Sequence, residues 1–455
     1  MFDQKSLAFC RFYPEMLLRV VCYTSLAIRC HSSVSLFGKF KRSGPVNGSY
    51  LALDIGTEVV KALVFEVDEE TGEGVVIGSG RAAQPLGAMH AGAVGDIAAV
   101  VQVCERAIFE ASERAGVRPT QVVLGMAGEL VKGMTTTVSY ERLKPEQKID
   151  AAELKNIVHK VQWRALERVK QQLVRETGQQ GIDVRLITGS VVDVRIDGYR
   201  VTQPVGFQGK DVALSIFNAY APLVHIGALE SIAEQLDLDL LSVTAEPYAV
   251  ATSVGVGEQL EFSAIFIDVG GGTTDVAVVR GGVIEGTKMF GIGGRAFTRR
   301  VSQALDLPFE EAEETKIKYS ENMLPSSSAE RVRREVDGDL SVWREGVALA
   351  LEEFSKTEPL PSRVLLCGGG SKLPGMKEVL MDPDFVERLP FSRPPNIHFM
   401  SPQDVVLMSD STGLLVGQED VTPLGLASQA IREVLLPSDE FSSVVRRAVR
   451  LLQTA

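Results

Sequence analysis

Nowhere in its 455 residues does the chain carry an uninterrupted apolar stretch of the ~18 residues that a membrane-crossing helix needs, so no spanning helix is expected. Cysteine is sparse. Cys10, Cys22, Cys30, Cys104 and Cys367 are odd in number and widely spread, so neither metal spacing nor a disulfide framework is implied, and a reducing compartment is expected. Positive charge is in deficit, with 47 Lys and Arg against 59 Asp and Glu for a net −12. A nucleic-acid partner demands a basic face for its phosphates, so none is expected. What is present, 45% hydrophobic and 23% charged residues, is the composition of a folded chain. Its length exceeds what one core holds, which implies two or more domains.

The first 47 residues differ from the rest: seven Lys or Arg stand against Asp3 and Glu15, and three of the five cysteines lie there. The semi-apolar run 16–28 is broken by Arg19 and lacks a cleavage site, so a disordered extension or an over-long start is favoured over a targeting peptide. Gly44, Pro45 and Gly48 read as the linker into the first strand.

Two aspartate-led glycine loops carry the most information: Asp54-Ile55-Gly56-Thr57 and Asp268-Val269-Gly270-Gly271-Gly272-Thr273-Thr274-Asp275. Each follows an apolar run and precedes another, the pattern of a hairpin whose turn bares backbone N–H groups to an anion. Asp54 and Asp268, each at a strand end, would face one place and hold a hydrated Mg²⁺. One Asp-x-Gly-Thr turn alone is an ordinary hairpin. A facing pair, with three glycines and two threonines in the second, clamps a nucleotide's phosphates. A third strand runs into Gly368-Gly369-Gly370-Ser371 and then a helix, a shelf for a base or ribose.

From Tyr50 the pattern alternates strand and helix, as in an α/β layered fold. The stretch 131–222 breaks that rhythm with a Thr-rich strand (134–138), a charged helix (150–177) and strands near 185–194, 199–201 and 212–219. It reads as an α+β insertion whose polar helix has a solvated face. Its lack of a glycine loop marks it as an interaction and self-assembly module. Glu246 opens a helix with Pro247 in the first turn, where the missing N–H costs nothing, and an acid there suits the macrodipole. The second half repeats the architecture of the first, placing a nucleotide between the halves.

At the end, a helical wheel at about 100° per residue gathers Phe441, Val444, Val445, Ala448, Val449, Leu451 and Leu452 on an arc of roughly 160°. Arg446, Arg447 and Arg450 lie opposite. Such a helix suits a membrane interface, though a terminal helix packed on the body would show the same stripe.

The three glycine loops, in this order and spacing, resemble those of the superfamily that unites actin, sugar kinases and heat-shock chaperones. Within it, the stretch from Gly78 to Asp96, the run Gln203-Pro204-Val205-Gly206 and the amphipathic tail resemble the bacterial cell-division family FtsA, over about residues 50–429. The resemblance implies an actin-like ATPase fold of two duplicated α/β domains, with a small α+β insertion in the first and a mostly helical insertion in the second. The expected parts are 1–47 as the extension, 48–130 with 223–258 as the first domain, and 131–222 as its insertion. The second domain takes 259–305 with 362–430, its insertion 306–361, and the terminal helix 437–455.

The resemblance further implies ATP and Mg²⁺ as ligands. Asp54, Gly56 and Thr57 would form the first phosphate loop, and Asp268 with Gly270, Gly271, Gly272, Thr273 and Thr274 the second. Glu313 and Lys316 would reach ribose and adenine, Gly293 and Gly294 would form the glycine pair, and Gly368, Gly369, Gly370 and Ser371 would close the adenosine pocket. Glu246 stands where chaperone relatives hold a carboxylate near the attacking water. Partners implied are the tail of the tubulin-like FtsZ, other division proteins, further copies of the chain, and the inner face of the membrane at the division site. Weak ATPase activity or none is expected. The second insertion is short for FtsA, as in the pilus-assembly family PilM, which is the alternative. A sugar kinase would need a substrate base beyond the phosphate loops, where no convincing Asp stands, and a chaperone a β-rich domain after the nucleotide domain, so neither is the expected reading.

Overall fold

The computed structural model describes residues 48–68, 70–255, 262–356 and 358–435. The extension 1–47 and the terminal helix 437–455 expected from the sequence lie outside the described residues.

The first half opens with β1 (Ser49–Ile55) and β2 (Val59–Val67), an antiparallel hairpin that sets Asp54 opposite Lys61. Next come β3 (Gly74–Ala83), the short pair β4 (Met89–His90) and β5 (Ala93–Val94), and α1 (Ile97–Ala115). That helix starts where the Asp96 carboxylate accepts the Ala99 N–H and stops at Gly116, whose φ of 69° few other residues adopt. After β6 (Gln121–Met126) the insertion supplies β7 (Lys132–Glu141), α2 (Ala151–Thr177), β8 (Val184–Ile196), β9 (Tyr199–Arg200) and β10 (Asp211–Pro222). The half closes with α3 (Leu223–Gln235), β11 (Asp239–Ala245) and α4 (Glu246–Thr252).

The second half runs β12 (Ala264–Val269), β13 (Thr274–Arg280), β14 (Val283–Phe290), α5 (Gly294–Leu305), α6 (Phe309–Ser320), α7 (Ser326–Glu352) and β15 (Arg363–Cys367). Then follow α8 (Met376–Val379), α9 (Pro383–Arg388), β16 (Asn396–Phe399), β17 (Met408–Asp410) and α10 (Val421–Ala430).

Among the described residues one sheet has the order β11-β6-β1-β2-β3-β17 and the other β16-β15-β12-β13-β14-β7-β10-β8-β9. Five strands of each repeat one plan. A hairpin and a third antiparallel strand are flanked on the other side by two parallel strands, β6 and β11 in the first, β15 and β16 in the second. The central strands are buried almost throughout, because helices cover both faces. This is the duplicated α/β architecture expected from the sequence.

Three features depart from, or refine, the sequence reading. The strands of the insertion extend the second half's sheet, joined where β14 meets β7 at Gly286–Met134 and Thr287–Gly133. Its strand β10 also feeds the first half's core, burying Phe217, Ala219 and Ala221 completely and stacking Phe217 on Tyr248 at 4.6 Å between centroids. The polar helix α2 is solvated on one side only; Leu154, Ile157, Val158, Val161, Ala165 and Val169 recur at helical spacing and are fully buried. The end of the chain returns to the first half, where β17 pairs in parallel with β3 and α10 packs on β1 and α4.

Candidate functional site

Both hairpin turns point into the space between the halves and touch. A Cβ added at Gly271 would stand 2.6 Å from Glu58 Cβ, and one at Gly272 would stand 2.6 Å from Thr57 Oγ1. Only glycine lets the turns close so far. The second turn is stitched to the start of α5, because the Gly294 and Arg295 N–H groups donate to Gly270 O and Gly271 O at 2.8 and 2.7 Å. The third loop reaches the same point. Gly368 has a φ of 82°, and a Cβ there would fall 2.1 Å from Asp268 Oδ1.

These loops enclose a cavity of about 550 Å³, within the range of small-molecule sites. Asp54, Gly56, Thr57, Glu246, Asp268, Gly270, Gly271, Gly272, Thr273, Gly294, Glu313, Lys316, Gly368, Gly369 and Gly370 line it. Thr274, Gly293 and Ser371 do not. Thr274 turns away: its hydroxyl donates to Ile292 O at 2.7 Å and accepts the indole N–H of fully buried Trp343 at 2.9 Å. Gly293 packs behind the second turn, where a Cβ would meet Gly270 O at 2.6 Å. Buried Ser371 gives its hydroxyl to Gly368 O at 2.7 Å. Glu313 and Lys316 pair at 2.8 Å, and the Lys316 ammonium also donates to Thr298 Oγ1 and Gly294 O. The tail residues Phe441 to Leu452 lie outside the described residues.

Asp54, Glu246 and Asp268 gather around Lys61, which donates to Asp54 Oδ2 at 2.8 Å, and Asp275 joins the same carboxylate cluster through Asp268 and Asp54. Burial works against the Lys61 ammonium, yet Asp54, backed by Asp268 and Glu246, holds its pKa above the ordinary 10.5. Burial, then the charges of Asp54, Asp275 and Asp268, pushes Glu246 well above the carboxylate range. Burial followed by Asp268 and Asp54 does the same to Asp275. Burial also raises Asp268, opposed by the Thr422 hydroxyl and by Lys61. The cluster is rich in negative charge faced by the half-buried Lys61 ammonium. Among the described residues no group of three or more His, Cys, Asp or Glu could hold a metal ion directly.

Sequence reading missed Lys61, Glu58, Arg295, Asp275 and Thr422 as parts of this site. Lys61 was legible, because a two-residue period across a tight hairpin puts it on the face of Asp54. Arg295 and Thr422 were not, since only the closure of the two halves brings them in. At the mouth, Glu419 bridges Lys372 at 2.6 Å and Arg81 at 3.6 Å.

A family model described as cell division protein FtsA matches residues 265–405. The FtsA of Pseudomonas aeruginosa is 26% identical over 351 residues, which cover 72% of this chain and 79% of that protein. The FtsA of Neisseria meningitidis is 26% identical over 416 residues, 87% of this chain and 93% of that protein. A solved structure of the PilM–PilN type IV pilus biogenesis complex aligns with a TM-score of 0.60 at 18% identity, covering 84% of this chain and 98% of that one. At that identity it establishes the fold alone. The resemblance to FtsA and the actin-like fold both hold.

Proposed function

We propose that this chain is an ATP-binding, actin-like cell-division protein that assembles on the inner face of the membrane at the division site. There it would anchor the FtsZ ring through the FtsZ tail and recruit later division proteins. One observation carries the nucleotide reading: two glycine turns, one from each half, close over a cluster of buried carboxylates and the half-buried Lys61 inside a cavity of about 550 Å³. The residues present fit a nucleotide. Bare backbone at Gly56 and Gly270–Gly272 suits phosphate oxygens, and the half-buried Lys61 supplies a positive charge beside them. Glu313, Lys316 and Gly368–Gly370 line the same cavity and would take the adenosine.

Mg²⁺ would sit on the phosphates and reach Asp54 and Asp268 through water, for each carboxylate already spends an oxygen on Lys61 or Thr422. When bound, the ion neutralises phosphate charge. Glu246 lies deep in the cluster, and a carboxylate raised toward neutrality is suited to hold a proton near an attacking water. The cell-division role is supported by relatives named FtsA that span most of the chain. Self-association would use the insertion 131–222, and the membrane contact the helix 437–455.

Calorimetry on the intact protein with Mg²⁺ and ATP tests the site. Asp268→Ala should weaken binding about tenfold or more by removing one orienting carboxylate. Absence of any uptake by the unaltered protein at millimolar ATP would end the nucleotide reading. For the cellular role, a tagged copy should form a midcell band in dividing cells. Polar or patchy foci would favour the PilM-like adaptor, whose leaner second insertion is matched here by the helices α6 and α7, the elements among the described residues between α5 and β15.

A further inference from the structure

Arg295 is built unlike any other arginine of the cavity. It is 6% exposed, the second residue of α5, and its own N–H is committed to Gly271 O of the second turn at 2.7 Å. Its side chain crosses to the opposite half. There Nε donates to Glu58 Oε2, at the tip of the first turn, at 2.5 Å, and Nη1 approaches Met89 O at 3.5 Å. Nη2 is buried and has no partner among the described residues. One residue therefore ties the two glycine turns together, by its backbone to one and by its guanidinium to the other.

A buried guanidinium carries five N–H donors in a rigid fork, and leaving one unused is costly. Here a single carboxylate engages through Nε alone, so the edge of the fork that fits two oxygens side by side is not filled. Arg295 is one of the residues lining the cavity, where the turns that would hold phosphates meet. A phosphate oxygen is the partner that matches its charge and geometry.

We propose that Arg295 is the group by which the cleft tells a nucleoside triphosphate from a diphosphate: Nη2 donates to the terminal phosphate while Nε stays on Glu58, clipping the halves shut over it. This rests on the nucleotide reading above. A diphosphate would leave the spare donor without its oxygen, and the clip would then rest on the Glu58 pair alone.

The test is calorimetric titration of the full chain with Mg²⁺, using ATP and ADP in parallel. Arg295→Ala should weaken ATP by about tenfold to a hundredfold, as the loss of a charge-assisted hydrogen bond predicts, and shift ADP by no more than about threefold. Arg295→Lys keeps the charge without the fork, guards against misfolding, and should fall between for ATP while leaving ADP unmoved. If both variants keep the wild-type ratio of ATP to ADP affinity, Arg295 is a clip between the halves and no more, and the proposal is overturned. Unaltered protein that takes up neither nucleotide would remove the site reading and this assignment with it. Unaltered protein that binds both, with variants that weaken both alike, removes this assignment alone.

Discussion

Lys61 offers the sharpest test of the electrostatics. It enters from β2 directly opposite Asp54, its side chain is 17% exposed, that of Asp54 4%, and the two pair at 2.8 Å. Lys61→Met keeps the length and apolar stem of the side chain and deletes only the charge, so the packing of β1 on β2 should survive. What is left is a cluster of buried carboxylates with no cation. Removing one partner of a buried pair costs about 3–5 kcal/mol, and the small exposure of Lys61 favours the lower figure. For one compact unit of roughly 400 residues, about 3 kcal/mol lowers the melting temperature by roughly 3–5 °C.

The pH dependence gives the signature. Lys61 opposes the burial-driven rise of Glu246 and Asp268, so without it these two carboxyls should take up protons more readily as pH falls. The penalty should therefore be largest near pH 8 and shrink toward pH 5. Differential scanning calorimetry of both proteins across that range measures it. A melting temperature unchanged by the substitution, or a loss equal at pH 5 and pH 8, would refute the view that Lys61 neutralises this cluster.

Glu246→Gln tests the same cluster from the other side. The folded protein holds Glu246 above its ordinary 4.5, so charging it costs stability as pH rises through the folded value, and the variant should gain on the parent at pH 8 but not at pH 4; equal gains at both would contradict the assignment. Thr274→Val leaves the Trp343 indole N–H buried without its 2.9 Å acceptor, which should cost about 1–3 kcal/mol in denaturant unfolding yet alter ATP affinity little, and a large loss of affinity would put Thr274 back on the phosphate. For the tail, removing residues 438–455 should release the protein from anionic vesicles, since each buried Phe, Val or Leu contributes about 1.5–3 kcal/mol at most and each nearby Arg about 1 kcal/mol. Undiminished co-sedimentation of the truncated chain would place the membrane contact elsewhere.

The sequence alone determined the parts that depend on local chemistry. The Asp-Gly-Thr turns were legible because a hairpin writes its apolar strands and its turn residues within some twenty neighbours. So was the duplication, since alternating strand and helix leaves its periods in the letters. Tertiary structure decided what depends on contacts between distant segments. That β7 would join the sheet of the other half, that β17 and α10 would return to the first, and that Thr274 would serve Trp343 and not the cavity were all set by packing between segments far apart in the chain. Side chains such as Arg295 and Glu58 acquire a role only when two glycine turns from opposite halves meet, and 237 residues separate that pair. Turn chemistry is local and can be read from the letters; closure of the cleft is a property of the packed halves.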